Sequence, residues 1–466
     1  VATTVPPIAL SAEQAEALYQ LALDLLGDLV RIDTTNPPGN ETAAALYLRD
    51  RLAAEGIASE LIEPEPGRGN LIARMCASSS GTPESTSNDG LLLLSHLDVV
   101  GAEPDKWRVP PFSGEIVDGE IWGRGTLDTK NLTAIQAAVM ILLKRLDAPL
   151  ARDVILAATA DEESGGRWGV RWLAENRLDL LRASAAINEG GGVAAEFGGK
   201  VVHLVQTAEK MPCPITVTAT GEPGHASTPT DDNAVVTLSR ALVAIGSRRL
   251  PVHITATYRS FVETLGGVIG GIRGALAQQL LNPSMVDTII DRVAGDPRKA
   301  LAMRAMIRNT ATPTVVNAGY RINVIPGQAE AQLDCRLLPG SSSAEVLEEL
   351  RAVLRDVGLA GKVKVEAADQ DVPAVESPFD HPLVGEMRRA IANHSPGATI
   401  APLLLPATTD GRYLRPRGIP VYGFTPLPLS EKTEGVHGHN ERVGLAGFRF
   451  ATGVLWDVIS AYCRMT

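Results

Sequence analysis

The run GLLLLSHLDVV, Gly90 to Val100, ends a wholly apolar stretch on an imidazole and a carboxylate two residues apart, His96 and Asp98. Four other segments have the same character. ATADEESGG carries Asp161, Glu162 and Glu163, NEGGG carries Glu189, GRGTLDTKN carries Asp128, and GVHGHNERV carries His437 and His439. Carboxylates packed together repel, and burial worsens the repulsion. Either they are spread in water or a cation holds them. A mixed imidazole and carboxylate set suits zinc, with cobalt or manganese as substitutes. Two ions sharing one carboxylate, each completed by an imidazole and a terminal carboxylate, would use the whole set. In that arrangement Asp128 is the bridge, His96 and Glu189 complete one ion, and His437 and Glu163 complete the other. Asp98 then fixes the tautomer of His96. The doublet Glu162-Glu163 divides its work: Glu163 binds metal, and Glu162 stays off it to take a proton from water whose pKa the metal lowers towards about 7.

Such groups need rigid elements behind them. Leu91 to Leu94 is a short apolar run, as expected of a strand buried on both faces of a mostly parallel sheet. DVILAATA (Asp153 to Ala160) and ASAAIN (Ala183 to Asn188) read as two more, and NLTAIQAAVMILLKRL (Asn131 to Leu146) as a helix. Ser11 to Arg31 reads as an amphipathic helix capped by Ser11, and a second helix follows the turn-rich TTNPPGNET to about Glu55. In an open α/β sheet, ligands bind beyond the carboxyl ends of the strands. His96, the Asp161 to Glu163 cluster and Glu189 fall at three such ends.

After about Met211 the pattern changes. PITVTATGE alternates apolar and polar residues, Ala234 to Ile245 reads as a helix, and AEAQLDCRLLPG, Ala344 to Val357 and KVKVEAA read as strand, helix and strand. The expectation is therefore an α/β chain: a catalytic domain with a mostly parallel sheet flanked by helices, interrupted by a smaller α+β domain. The boundaries read as 1–210 and 371–466 for the catalytic domain and 211–370 for the inserted one, with a helical insertion near 251–308. CASSSGTPESTSNDG (Cys76 to Gly90) reads as a polar loop.

Composition sets limits. The 466 residues are 45% hydrophobic and 21% charged, ordinary for a globular chain, and the formal net charge is −11, which argues against nucleic acid and anionic membrane as partners. No run approaches the roughly 20 apolar residues of a membrane span. The four scattered cysteines read as free thiols of a reducing compartment, so a cytoplasmic location is expected. The start lacks the basic and apolar regions of a signal peptide, and lacks methionine. Neither EGGGV nor GRGTLDTK fits a dinucleotide or phosphate-loop pattern.

LLLLSHLDVV, WRVPPFSGEIVDGEIWGRGTLDTKN, ATADEESGG, NEGGG and GHNERV together resemble the motifs of the co-catalytic di-zinc amidohydrolases. That family includes aminoacylase, glutamate carboxypeptidase, succinyl-diaminopimelate desuccinylase and various dipeptidases. The resemblance implies two zinc ions per chain, a catalytic domain and an inserted lid domain that is often the dimer interface, so a homodimer is the implied assembly. It selects His437 over His439, because the family ligand stands four residues before a glutamate, here Glu441. It also implies a cis peptide after the bridging aspartate, here Asp128–Thr129. GEPGHAS resembles the segment whose histidine stabilises the oxyanion, His225. INVIPGQAEAQLDCR and PATTDGRYL resemble segments supplying Asn323 and Arg336, and Arg412, to the substrate. The implied reaction is hydrolysis of an amide or peptide bond beside a free α-carboxylate, of carboxypeptidase or dipeptidase type, with an N-acyl-amino-acid hydrolase as the alternative. A binding protein without catalysis is the remaining reading, and the completeness of the set speaks against it.

Overall fold

The computed structural model describes residues 6–77, 89–368, 372–433 and 435–464. The chain divides into two compact units. The first comprises residues 1–207, 377–403 and 409–466, and the second 208–376 and 404–408. The divisions thus fall at 207/208 and 376/377, against 210/211 and 370/371 read from composition.

The first unit is built on a nine-stranded sheet. Across it run Ser59–Ile62, Asn70–Met75, Val154–Thr159, Leu91–His96, Ala185–Asn188, Val421–Gly423, Lys200–Glu209 and Thr399–Leu405, with Ala194–Phe197 paired to Lys200–Glu209. The four strands from Val154–Thr159 to Val421–Gly423 are mutually parallel. Every residue of Leu91–His96, Val154–Thr159 and Ala185–Asn188 is buried. That is why these strands are apolar throughout rather than alternating: helices cover both of their faces. His96 lies opposite Thr159 in the register, so the segments that follow these neighbouring strands start from one edge of the sheet.

The flanking helices follow from local signals. Ala12–Arg31 begins at a capping box: Ser11 Oγ accepts from Gln14 N at 3.1 Å, and Gln14 Oε1 accepts from Ser11 N at 2.8 Å. Such a cap stabilises a helix by about 1 kcal/mol. Its stripe of Leu18, Leu21, Ala22, Leu25, Leu26 and Leu29 packs with Lys130–Arg145 into the core, together with Leu445–Cys463. Lys130 is fully buried at the start of its helix, and its ammonium donates to the carbonyls of Leu29 (3.0 Å) and Ile32 (2.8 Å) at the end of the first helix.

The second unit holds a five-stranded sheet in the order Met211–Pro212, Gln328–Leu337, Ile215–Thr220, Val363–Ala367, with Thr310–Ala318 also paired to Gln328–Leu337. Ala234–Ser247 and Ser343–Asp356 cover it, and a separate core of buried residues fills the space between. Helices Ala256–Ile269, Gly271–Ala277, Val286–Val293 and Pro297–Ala305 form the insertion. Gly274 has no room for a side chain, since a Cβ there would lie 2.2 Å from the Gly266 carbonyl oxygen.

Several strands go beyond the sequence reading, among them Ser59–Ile62, Asn70–Met75 and Ala194–Phe197 in the first unit's sheet. Lys200–Glu209 and Thr399–Leu405 lie where no strand was assigned, and so does Thr310–Ala318. Thr310–Ala318 contains Pro313 beside a register shift and is exposed over most of its length, which removes the alternation a half-buried strand shows. The expected polar loop at 76–90 lies outside the described residues over 78–88. All four cysteines are free thiols. The chain leaves the first unit at Thr207 and re-enters it at Ser377, and Ser377 N donates to Thr207 O at 2.8 Å.

Candidate metal centre and active site

His96 is the last residue of its strand and is buried. Its Nδ1–H donates to the Asp98 backbone carbonyl at 2.9 Å, and Nδ1 stands 3.5 Å from Asp98 Oδ1. Nε2 is therefore the nitrogen presented to the site, and it lies 3.1 Å from Asp128 Oδ1. The other oxygen of the same carboxylate, Asp128 Oδ2, lies 3.0 Å from His437 Nε2. His437 Nε2 is also 3.1 Å from Glu163 Oε2. Asp128 thus stands between two imidazoles, one per oxygen. The peptide bond Asp128–Thr129 is cis.

Asp98 is fully buried and works through its surroundings. Its carboxylate accepts from the backbone N–H of Glu162 (3.1 Å) and of Glu163 (3.0 Å), and from the Asn36 amide (2.8 Å). The carboxylate fixes the acidic doublet, whereas the His96 ring proton goes to the Asp98 backbone carbonyl and not, as expected from sequence, to the carboxylate. Glu162 and Glu163 begin a short 3-10 turn after Asp161, which is left-handed at φ 68°. Glu189 follows the third strand, and its charge reaches Glu162.

The electrostatics show how much charge is gathered here. Burial pulls the His96 imidazole down, but the hydrogen bonds to Asp128 and Asp98 outweigh it and hold its pKa well above the ordinary value. Hydrogen bonds to Asp128 and then Glu163 raise His437 to about 10. Burial pushes Asp128 up, yet hydrogen bonds to His437 and His96 leave it below the usual carboxylate range. Glu162 behaves differently. Burial raises it well above its ordinary value; His96 opposes this, Asp410 and Glu189 add to it, and Arg412 also opposes it.

The donor set fits divalent cations. His96, Asp128 and Glu163 each offer a ligand atom, all within 4.8 Å of one another. Glu163 Oε1 is buried and has no hydrogen-bond partner among the described residues. Two imidazoles that face carboxylate oxygens at 3.0–3.1 Å need a positive charge between each pair, a proton or a metal. Imidazole nitrogen and carboxylate oxygen are the donors zinc takes.

Of the residues singled out from sequence, the first unit brings together His96, Asp98, Asp128, Glu162, Glu163 and His437, with Glu189 and Arg412 close enough to act on Glu162. His439 is directed elsewhere and pairs with Glu103 at 2.8 Å. Arg412 is buried, its guanidinium 4.7 Å from the Tyr413 ring centroid. His225, Asn323 and Arg336 belong to the second unit. His225 is exposed on the two-residue strand Gly224–His225, and its Nδ1 accepts from Ser227 N at 3.2 Å and meets Ser227 Oγ at 2.6 Å. Asn323 is exposed and its carbonyl accepts from Ala226 N at 3.0 Å. Arg336 pairs with Asp334 at 2.8 and 3.2 Å.

A network behind Asp98 went unread in the sequence. Asn36 also donates to Asp161 Oδ1 at 3.2 Å, and its own oxygen accepts from Arg68 at 2.8 Å. Arg68 in turn pairs with the buried Glu41 at 2.6 Å, and Glu41 accepts from Asp161 N at 3.2 Å. These residues come from TTNPPGNET and the turn before Asn70–Met75. Their only sequence signal was a cluster of turn formers.

Residues 92–461 match peptidase family M20/M25/M40. The N-fatty-acyl-amino acid synthase/hydrolase PM20D1 of Homo sapiens is 28% identical over 376 residues, covering 79% of this chain and 73% of that protein. Aminoacylase-1 of Mus musculus is 25% identical over 441 residues, covering 93% of this chain and 94% of that one. Among solved structures, the M20 family metallo-carboxypeptidase Sso-CP2 from Sulfolobus solfataricus shares the fold, with a TM-score of 0.65 at 17% identity over 97% of this chain and 99% of that chain. The match over most of the chain, together with the imidazole and carboxylate cluster it spans, places the chain in peptidase family M20/M25/M40 as a metal-dependent hydrolase of amide bonds.

Proposed function

We propose that the chain hydrolyses the amide bond of an N-acylated amino acid whose α-carboxylate is free, and that it uses two zinc ions, for which cobalt or manganese can substitute. The observation that carries this is Asp128, whose two oxygens face His96 and His437 at 3.1 and 3.0 Å. A carboxylate placed in that way suits a bridge between two cations. Glu163 would complete the ion held by His437, and Glu189 the ion held by His96. When bound, the ions would polarise the amide carbonyl and acidify water. Glu162 is the proton carrier: half-buried and raised in pKa, it is suited both to take a proton from water and to return it to the leaving amine. Arg412 is the proposed anchor for the substrate carboxylate, since a guanidinium pairs bidentately with a planar anion.

His225, Asn323 and Arg336 keep the roles the resemblance implies. For His225 there is support in its own ring. The Ser227 backbone N–H can only donate, so Nδ1 is an acceptor and the ring proton sits on Nε2, as an oxyanion donor requires. The names of the two sequence relatives favour an acyl group on the nitrogen; a peptide with a free C-terminus presents the same linkage and is the second form of this reading. A homodimer formed through the second unit is also proposed. Val236 and Val243 on helix Ala234–Ser247, and Val315 and Val316 on the edge strand Thr310–Ala318, are exposed on that unit. Light scattering tests it, and a monomeric mass would end it. A cytoplasmic location belongs to the same reading, supported by the four free thiols.

The experiment is a paired release assay on zinc-loaded protein with a chelated control. N-acetyl and N-fatty-acyl amino acids are compared with dipeptides and peptides with free C-termini. Chelator-sensitive release is expected from N-acyl amino acids. Release from peptides alone would replace that form by the peptidase one, and no release from either class would sink both.

A further inference from the structure

One buried ion pair touches three of the segments that carry the candidate ligands. Glu441 is fully buried and Arg124 nearly so, and Arg124 Nη1 donates to Glu441 Oε2 at 2.6 Å. Glu441 Oε2 also accepts from Gly125 N at 3.1 Å, while Oε1 accepts from the backbone N–H of Leu127 (2.7 Å) and of Asp128 itself (3.1 Å). One carboxylate thereby holds the turn 125–128 by three of its amides. Arg124 extends the contact outward. Its Nη2 donates to the carbonyl of Gly438, next to His437, at 2.7 Å, and more weakly to that of Gly101 at 3.3 Å, in the segment that continues from His96 and Asp98. Gly123 N donates to Glu441 O at 3.0 Å, which ties the same two stretches once more.

The alternatives for these two residues are weaker. A buried ion pair is poor evidence for stability, because desolvating two charges offsets much of their attraction. A pair kept only for packing would not spend five side-chain hydrogen bonds on the backbone of ligand-bearing loops. His437 itself needs outside help. It is half exposed and sits at a positive φ of 57°, on a segment with no strand or helix to fix it until Arg442. His96, by contrast, is set by its strand.

We propose that Arg124 and Glu441 are positioning residues that hold Asp128 and His437 in mutual register, so that removing the pair weakens the second metal ion selectively. The ion served by His437 depends on the clamp, and the ion served by His96 depends on the sheet. This rests on the two-ion reading above.

The test titrates zinc alone into chelator-stripped parent, Arg124→Lys and Glu441→Gln, with a competing chelating dye reading each affinity. The lysine keeps the positive charge beside Glu441 but cannot reach Glu441, Gly438 and Gly101 together. The glutamine keeps the size of the side chain but opposes an amide to the donors around it. Both variants are expected to hold the first ion at parental affinity and the second at least ~10-fold more weakly. The midpoint of thermal unfolding is recorded for each stripped protein. Two ions at parental affinity in Arg124→Lys, with or without a lower midpoint, would overturn the clamp and leave a structural pair. Equal weakening of both ions would overturn its selectivity. A parent that binds fewer than two ions would overturn the two-ion reading instead. Should Glu441→Gln not fold, Arg124→Lys decides alone.

Discussion

The side-chain amide of Asn36 donates to Oδ2 of Asp98 at 2.8 Å, joining residues 62 positions apart. The same carboxylate accepts from the amides of Glu162 and Glu163, and the Asp98 carbonyl from the His96 ring, so Asn36 bears on candidate ligands it does not touch. Asn36→Ala is expected to lower zinc affinity by ~10–100-fold, the range for groups that orient metal ligands. Competitive zinc titration checks it, and parental affinity would show that Asp98 needs no such support.

Glu162→Gln separates proton transfer from metal binding. The amide is the same size and cannot carry the proton, so kcat should fall by ~10²–10⁴-fold. Metal analysis should find the parental zinc content, because Glu163 and not Glu162 faces His437. A variant that turned over at the parental rate would remove Glu162 from the mechanism.

Arg412→Lys tests the anchor. If Arg412 holds the substrate carboxylate, KM should rise by ~10-fold or more for substrates with a free carboxylate, since lysine cannot reproduce the bidentate fork. Substrates with that carboxylate amidated should be equally poor for parent and variant. An unchanged KM would return Arg412 to a packing role over Tyr413.

Lys210 gives a pH dependence unrelated to the metal. It is buried in the second unit, where its ammonium donates to Arg308 O and Thr310 Oγ1 at 2.8 and 2.9 Å. Burial, and next the charge of Arg336, lower its pKa from 10.5 to about 7. Between pH 7 and 10.5 the unfolded chain therefore holds more protons, and stability rises with pH across that window. The cost of the buried charge is present in full below about pH 7 and absent above 10.5, on the order of 4–5 kcal/mol. Lys210→Met loses two hydrogen bonds at every pH but removes this slope. Its thermal midpoint relative to the parent should be most favourable at pH 6–7 and worsen towards pH 10, and a constant difference would refute the shift.

Much of this was legible because the ligands hang on strongly patterned elements. Leu91–His96, Val154–Thr159 and Ala185–Asn188 are buried on both faces, and a fully buried strand writes an unbroken apolar run that ends where its polar cargo begins. What was hidden depends on long-range pairing. Asn36, Arg68 and Glu41 sit among turn residues, and only folding brings them behind Asp98 and Asp161. Glu441 was visible as a spacing marker for His437, but its bonds to Leu127 and Asp128 cross more than 300 residues and leave no local pattern. Thr310–Ala318 escaped because an exposed edge strand carrying a proline lacks the period of two.

The hydrogen bond from Ser377 N to Thr207 O brings the two ends of residues 208–376 to one point. Residues 404–408 are the second unit's one further piece, and residues 208–376 form a cassette that leaves and returns through a single point. Its excision, with Thr207 and Ser377 joined by a short glycine bridge, breaks no pairing between Leu91–His96 and its neighbouring strands, and replacing it costs the first unit little loop-closure entropy. The pairing of Leu91–His96 with Val154–Thr159 and Ala185–Asn188, and with it the place of His96 at the strand end, therefore owes nothing to residues 208–376.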